Sequence, residues 1–228
     1  MIRLFIIFVL LFLAFPSLDL WSSHWFYDPV LGWFDGALVN TIYWVVPWFA
    51  AGLVLGLGAV WFGSWIGTKI FKPWRKSVGY LFLVFALGPG LVVNTLFKNH
   101  WGRARPLQVQ EFSGSAVFSP AWIPTNQCNY NCSFVSGHAA VGFYLVAFGF
   151  LGKRRFWQTI GILAGTGIGL ARIVQGGHFV SDVVFSFFTV YFVAWLVWKV
   201  LYPPEAAGVG RATATAVTKE EGEATPGR

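Results

Sequence analysis

Residues 171–182 read Ala-Arg-Ile-Val-Gln-Gly-Gly-His-Phe-Val-Ser-Asp and set an arginine, a histidine and an aspartate within an otherwise apolar sequence. His178 and Asp182 are four residues apart, and on a helix that spacing places them on one face. The carboxylate would then accept a hydrogen bond from one ring nitrogen and leave the other free as a base or nucleophile. The Gly-Gly pair lets the chain reverse, so that Arg172 faces His178 across a turn. For this stretch alone, a cluster of polar side chains at a helix end is the alternative interpretation.

The composition indicates an integral membrane protein. Of 228 residues, 56% are hydrophobic and 11% are charged, whereas a soluble domain carries about 25% charged residues. A helix needs about 20 apolar residues to cross a ~30 Å hydrocarbon core. Such runs occur at residues 2–20, 41–65, 78–97, 139–151, 156–174 and 179–202. We therefore predict an all-α, polytopic helical bundle with about six transmembrane helices.

The two ends of the chain differ in character. The first run begins with Arg3 like a signal peptide, but it lacks a small-x-small cleavage site, which favours an uncleaved first span. Residues 203–228 are rich in Ala, Thr, Gly and Glu and have almost no bulky apolar residue. We predict an integral membrane domain over residues 1–202 and a disordered cytoplasmic tail over residues 203–228.

The net charge of +7 is compatible with nucleic-acid binding, but its distribution favours a membrane. Basic residues concentrate near the chain start and in the even-numbered connections, namely Arg3, Lys69, Lys72, Arg75, Lys76, Lys153, Arg154, Arg155 and Lys199. The positive-inside rule then places both termini in the cytoplasm. Before the tail, the acidic residues fall on the outer side, at Asp19, Asp28, Asp35, Glu111 and Asp182. Four outer basic residues break the asymmetry and need a local reason: Lys98, Arg103, Arg105 and Arg172.

Cysteine and glycine spacing suggests further structure. Cys128 and Cys132 are the only cysteines and lie in the long outer loop, where an oxidising compartment would allow a disulfide; two reduced thiols are the alternative. Without further ligands, the pair makes a poor zinc site. Gly-x3-Gly spacing recurs in the second and fifth apolar runs and predicts close helix packing or a homodimer contact.

Polar residues from three separate segments are predicted to converge on the outer face. They are Lys98, Arg103 and Arg105; Ser136, Gly137 and His138; and Arg172, His178 and Asp182. Guanidinium forks, a lysine and a helix N-terminus suit a phosphate, and two histidines allow a nucleophile and a general acid. With Asp182 as the one acid expected nearby, side-chain cations rather than a metal ion or cofactor would neutralise the transition state.

This pattern resembles the type 2 phosphatidic acid phosphatase superfamily of membrane lipid phosphate phosphatases. The family's K-x6-R-P motif matches Lys98 to Arg105-Pro106, its P-S-G-H motif matches residues 136–138, and its S-R-x5-H-x3-D motif matches Arg172, His178 and Asp182. Two positions depart from the family pattern. Val135 stands in place of proline, and Ala171 stands in place of serine and so lacks one possible hydrogen bond to phosphate.

The resemblance implies a role for each matched residue. His178 would be the nucleophile that forms a phosphohistidine, Asp182 would orient it, and His138 would be the general acid. Phosphoryl oxygens would be bound by Lys98, Arg105, Arg172, Ser136 and Gly137. Arg103 would bind a headgroup or a second phosphate, or else serve a structural role at the interface.

The substrate implied by the resemblance is a phospholipid or glycolipid of the bacterial inner membrane, dephosphorylated at a periplasmic active-site loop. Outer-loop sequences such as Phe-Ser-Pro-Ala-Trp at 118–122 are similar to bacterial lipid A phosphatases, which remove the 1- or 4′-phosphate. Undecaprenyl pyrophosphate, phosphatidylglycerophosphate and transfer of phosphate between lipids are alternatives. An anion transporter fits less well, because the charges lie near one face rather than at mid-membrane.

Overall fold

The computed structural model describes residues 1–66, 72–152 and 154–203. Its helices are α1 (Ile2–Ala14), α2 (Ser17–His24), α3 (Ala37–Gly63), α4 (Arg75–Phe85), α5 (Lys98–His100), α6 (Gly137–Phe143), α7 (Val146–Gly152), α8 (Arg155–Val174) and α9 (Val180–Leu201). A π-helical segment, Ala86–Phe97, joins α4 to α5, and short 3-10 turns occupy Lys72–Trp74, Pro106–Gln108 and Gln110–Phe112. The two strands β1 (Tyr27–Asp28) and β2 (Gly32–Trp33) form one antiparallel hairpin. The all-α prediction is confirmed, while the predicted tail, apart from Pro203, lies outside the described residues.

Three helices of the described chain are long and apolar enough to cross a membrane, namely Ala37–Gly63, Lys72–His100 and Val180–Leu201. A fourth span results if α1 and α2 are counted together. The apolar helices over Gly137–Gly152 and the helix α8 occupy the remaining two predicted runs. Helices therefore occupy every predicted run, and the total of six spans stays a prediction.

The first run is not the continuous helix expected over residues 2–20. The chain bends by 82° between α1 and α2. Pro16 lies at this bend, where its ring and missing N–H group prevent the helix from continuing. The bend turns α2 toward α9 and brings Asp19, which is 1% exposed, into the protein interior.

Small residues on α8 allow close helix packing, as the sequence predicts for the fifth run. A Cβ atom on Gly165 would lie 2.2 Å from the Phe143 ring of α6, and one on Gly169 would lie 2.4 Å from Val183 of α9. By contrast, Gly52 and Gly56 of α3 have no described atom within 4 Å of such a Cβ. The glycine pattern of α8 is thus a packing face within the bundle, and the homodimer stays a prediction.

An aromatic cluster attaches the outer loop to the bundle. Trp122 packs edge-on against Phe134 at 5.2 Å and against Phe185 of α9 at 4.9 Å between ring centroids. Phe5 of α1 reaches the same tryptophan at 5.8 Å. Because these rings are held by two helices, the loop end that leads into α6 has a fixed position beside the start of α9.

Candidate active site

A glycine turn between α8 and α9 brings Arg172 toward His178, as predicted. Gly176 has a φ of +65°, which glycine adopts without strain, and the Gly177 amide donates to the Arg172 carbonyl at 2.9 Å. A Cβ atom on Gly177 would lie 2.3 Å from a guanidinium nitrogen of Arg172. Glycine at 177 is therefore what allows the Arg172 side chain to fold over the turn.

His178 lies at the centre of the site. It precedes α9 rather than belonging to it, because Phe179 is the extended N-cap residue of that helix; the expectation that His178 and Asp182 share a helix is wrong in this respect. Its Nδ1 atom still lies 3.5 Å from Asp182 Oδ2. His178 is 1% exposed, and within the described part of the chain neither ring nitrogen has a hydrogen-bond partner. Burial lowers the pKa of His178 well below its usual value, and the positive charges of Lys98, Arg105 and Arg172 lower it further.

Asp182 is held from several sides. Its Oδ2 atom accepts hydrogen bonds from the Ser133 hydroxyl at 2.5 Å and from the Phe179 amide at 2.9 Å. Its Oδ1 atom accepts from Arg103 Nη1 at 2.6 Å. These contacts leave the carboxylate a single position, with one oxygen facing the imidazole of His178.

Arg103 is held in the protein interior by side-chain and backbone contacts. Its guanidinium is 0% exposed, and in addition to Asp182 it donates to the Ser119 carbonyl at 2.9 Å, the Ser181 hydroxyl at 2.8 Å and Asp19 Oδ2 at 2.8 Å. These contacts favour the structural role, and the headgroup role stays a prediction. Asp182 is also not the one acid near the site, because Asp19 shares the same guanidinium.

Lys98 and Arg105 meet at Asn131. Lys98 Nζ donates to the Asn131 side-chain oxygen at 2.9 Å, and Arg105 Nη2 donates to the Asn131 carbonyl at 2.8 Å. A disulfide joins Cys128 to Cys132 and encloses Asn131 in a short loop. The Cys132 amide also donates to the Lys98 carbonyl at 2.9 Å. The outer loop thus brings both cations to one place.

The second predicted segment begins α6 beside these groups. Ser136 is the N-cap residue of α6, and its hydroxyl accepts from the Ala139 amide at 3.4 Å. The Ser136 amide donates to the Asp182 carbonyl at 3.2 Å, which links α6 to α9. A Cβ atom on Gly137 would lie 3.2 Å from Lys98 Cε, so the first predicted segment is adjacent as well. The three segments therefore meet at one site.

His138 lies against Tyr43 of α3. The two rings are stacked at 5.4 Å, and His138 Nε2 lies 3.1 Å from the Tyr43 carbonyl oxygen. The Arg172 guanidinium contacts the same Tyr43 ring, 4.6 Å from its centroid. Tyr43 therefore contacts two predicted site residues at once.

A cavity of about 260 Å³ opens between α3 and the site. Lys98, Asn131 and His138 line its polar part, and Val46 and Pro47 of α3 line its apolar part. A cavity with one cationic end and one apolar wall suits a molecule with a charged head and a hydrocarbon body.

Sequence reasoning missed five residues of this site. They are Asp19, Tyr43, Asn131, Ser133 and Ser181. One signal was available, because Asp19 is a carboxylate inside an apolar run, where an ionised group needs a partner. Hydroxyl, amide and ring contacts from distant segments have no such signature.

Comparison with known proteins assigns the family. Residues 79–204 match the PAP2 superfamily, a region that includes all three segments of the site. The chain belongs to the PAP2 superfamily. PAP2 membership confirms the resemblance seen in the sequence, and the protein is a multi-pass membrane lipid phosphatase.

Three curated proteins that are similar to the chain are named as lipid A phosphatases. A lipid A 4′-phosphatase of Francisella tularensis subsp. novicida is 38% identical over 199 residues, or 84% of this chain and 89% of that protein. A lipid A 4′-phosphatase of Rhizobium leguminosarum is 30% identical over 76% of this chain and 82% of its own length. A lipid A 1-phosphatase of Rhizobium etli is 32% identical over 53% of this chain and 44% of its own length. No solved structure matches the chain.

Proposed function

We propose that the protein hydrolyses the 4′-phosphate of lipid A at the periplasmic face of the inner membrane, through a phosphohistidine at His178. Support for the 4′ position comes from the two named 4′-phosphatases, which align with most of both chains, whereas the named 1-phosphatase aligns with a shorter part. Removal of the 1-phosphate is the alternative within the same chemistry.

One observation carries the mechanism: the imidazole of His178 is buried, has no hydrogen-bond partner among the described residues, and lies beside a carboxylate and several cations. Asp182 faces Nδ1, so Nε2 is the nitrogen that attacks phosphorus. The P–N bond forms as the bond from phosphorus to the sugar oxygen breaks, and the electron pair goes to that oxygen. His138 donates the proton that the leaving oxygen takes up.

The second half of the reaction restores the enzyme. His138, now without that proton, removes a proton from a water molecule that attacks phosphorus. The P–N bond breaks, inorganic phosphate leaves, and the electron pair returns to the imidazole of His178. In both steps Lys98, Arg105 and Arg172 neutralise charge on the phosphoryl oxygens, with the Ser136 hydroxyl and the Gly137 amide as additional donors.

The test is phosphate release from purified lipids, measured for the wild-type protein and His178→Ala. Lipid A labelled at the 4′- or the 1-phosphate, undecaprenyl pyrophosphate and phosphatidylglycerophosphate form the panel. We expect rapid release from the 4′ position and loss of release in His178→Ala with the protein still folded. His100→Ala is the matched control, because that ring is exposed and hydrogen-bonds to the Leu96 carbonyl one turn earlier, so the variant should stay active. Full activity of His178→Ala would refute the mechanism.

The orientation is tested separately with cysteine variants and a membrane-impermeant thiol reagent. Val30 is 90% exposed in the hairpin beside the site, since Trp33 of the same hairpin packs on Gly176. Trp74 is 65% exposed between α3 and α4, near the basic residues Lys72, Arg75 and Lys76. Labelling of Val30→Cys but not Trp74→Cys in intact cells with a permeable outer membrane is expected, and the reverse pattern would place the site in the cytoplasm.

A further inference from the structure

A row of buried charges extends away from the nucleophile. Asp19 Oδ2 lies 2.8 Å from Arg103 Nη2, and Asp182 Oδ1 lies 2.6 Å from Arg103 Nη1. All three side chains are at most 1% exposed. The other carboxylate oxygen of Asp182, Oδ2, lies 3.5 Å from His178 Nδ1. Asp19 is therefore connected to His178 through two intervening charged groups.

Asp19 is also bonded to the first turn of α9. Its Oδ1 atom accepts from the Ser181 amide at 2.9 Å, and its Oδ2 atom accepts from the Ser181 hydroxyl at 2.5 Å. Ser181 accepts a hydrogen bond from Arg103 at 2.8 Å and is adjacent to Asp182 in the chain. Asp19 thus contacts Arg103, which donates to Asp182, and Ser181, which precedes Asp182 in the chain.

We propose that Asp19 is a positioning residue for the phosphatase reaction. Asp19 shares Arg103 with Asp182 and so preserves the negative charge that Asp182 presents to His178. The proposal rests on the proposed function, in which His178 attacks phosphorus. It adds the bent N-terminal segment, which lies outside the region matching the PAP2 superfamily, to the parts of the chain that set the activity of the nucleophile.

The physical reason is charge balance in a site from which water is excluded. One guanidinium lies between two carboxylates, so the three groups together carry one negative charge. The rings of Phe118 and Phe179 pack against the Arg103 guanidinium, with centroids 5.6 Å and 4.3 Å from Cζ, and give no compensating negative charge. Without the charge of Asp19, Arg103 would pair with Asp182 alone and neutralise it.

The balance matters because the imidazole becomes positive as it attacks phosphorus. Asp182 is the carboxylate that contacts His178, from the start of α9. The other charged or titratable groups that act on His178 are Lys98, Arg105, Arg172 and His138, all of which disfavour a positive imidazole. A weaker charge at Asp182 would therefore make His178 less basic and a poorer nucleophile.

The experiment compares Asp19→Asn with the wild-type protein, using kcat, KM and the pH dependence of kcat for phosphate release. We expect kcat to fall roughly tenfold, the equivalent of one pKa unit of interaction, with KM within about twofold. The acidic limb of the profile should move to lower pH, because loss of a negative charge lowers the pH at which His178 takes up a proton. A purely structural role would lower the amount of folded protein or kcat without moving the limb.

Two further variants complete the test. Asp28→Asn removes the same charge from an exposed hairpin residue of the outer side and should leave kcat and the limb unchanged. Asp19→Glu retains the charge and should keep the limb at its wild-type position. The proposal fails if the limb of Asp19→Asn stays in place, or if the limb of Asp19→Glu moves. If Asp19→Asn does not fold, the position of the acidic limb in Asp19→Glu tests the proposal.

The outcome is separable from that of the proposed function. If the His178→Ala protein is active, His178 is not the nucleophile, and both the proposed mechanism and the positioning role of Asp19 fail. Inactive His178→Ala protein together with an unmoved limb in Asp19→Asn would refute the positioning role alone.

Discussion

Arg103 and Arg105 stand two residues apart in the sequence Gly-Arg-Ala-Arg-Pro, yet they have opposite surroundings. Arg103 is fully buried and donates to Asp19, Asp182 and two serines. Arg105 is half-buried, and its guanidinium donates to the Asn131 carbonyl. Arg103 is therefore part of the buried framework of the site, and we expect Arg105 to bind the ligand.

The largest difference between the two arginines should be in stability. Arg103→Met leaves two buried carboxylates without their cation, and breaking a buried pair in this way costs about 3–5 kcal/mol. Arg105→Met removes a partly exposed cation and should change the free energy of unfolding by no more than about 0.5 kcal/mol. Thermal unfolding in detergent measures both, and equal losses would contradict the assignment of roles.

The second difference should be in catalysis. Arg105→Gln should remain folded and lose roughly 10²–10³-fold in kcat/KM, the usual effect of removing one donor to a developing oxyanion. Arg75→Gln is the matched control, because Arg75 packs over the Trp65 ring far from the site in sequence and should leave kcat/KM unchanged. An Arg105→Gln variant with wild-type kcat/KM would mean that Arg105 does not bind the phosphoryl group.

A smaller effect on phosphate release is expected from the disulfide-closed loop that contains Asn131, to which Arg105 donates. The disulfide has a sequence separation of 4, and closing so short a loop stabilises a chain by about 2 kcal/mol at most. Replacing both cysteines with serine should therefore loosen Asn131 and lower phosphate release only a few-fold. Assays with and without reductant check this, with the double-serine variant as the control that must not respond. Complete loss of activity on reduction would show a larger role for the bridge.

The smallest expected effect concerns pH. A neutral imidazole is needed for attack, and burial beside three cations lowers the pKa of His178. Mild acid should therefore leave the nucleophile neutral, and the limb of kcat/KM due to His178 should lie below pH ~6.5, the ordinary value for histidine. A pH profile of kcat/KM measures it. A limb above pH ~6.5 that persists in variants of the other histidines would contradict a lowered pKa for His178.

Much of the site was predictable because its chemistry requires particular residue types at particular spacings. The Gly-Gly reversal and the Ser136 cap follow from local rules for turns and helix ends. The three polar segments were grouped because their basic residues break the charge asymmetry and their spacing matches the family motifs. The difference between Arg103 and Arg105 did not follow. The chain between them is not helical, and which side of it faces the interior depends on α2 and α9, which are distant in sequence.

In the fold, too, local sequence patterns predicted some features, whereas others depend on tertiary contacts. Every predicted apolar run contains helix, but the runs did not give the 82° bend after α1. A proline predicts that a helix stops, whereas the direction of the next helix depends on what it packs against. Here α2 packs against α9, and the ion pair of Asp19 with Arg103 lies at that contact. Sequence reasoning consequently assigned Asp19 to the outer side of the membrane but not to the site.

The most direct test of the account is rapid-quench trapping of the enzyme during turnover of lipid A labelled with ³²P at the 4′ position, followed by mass spectrometry of the labelled peptide. We predict a transient phosphoryl group on His178, formed and lost at rates compatible with kcat and absent from His178→Ala. Label on another residue, or normal turnover by an enzyme that never carries label on His178, would contradict the account.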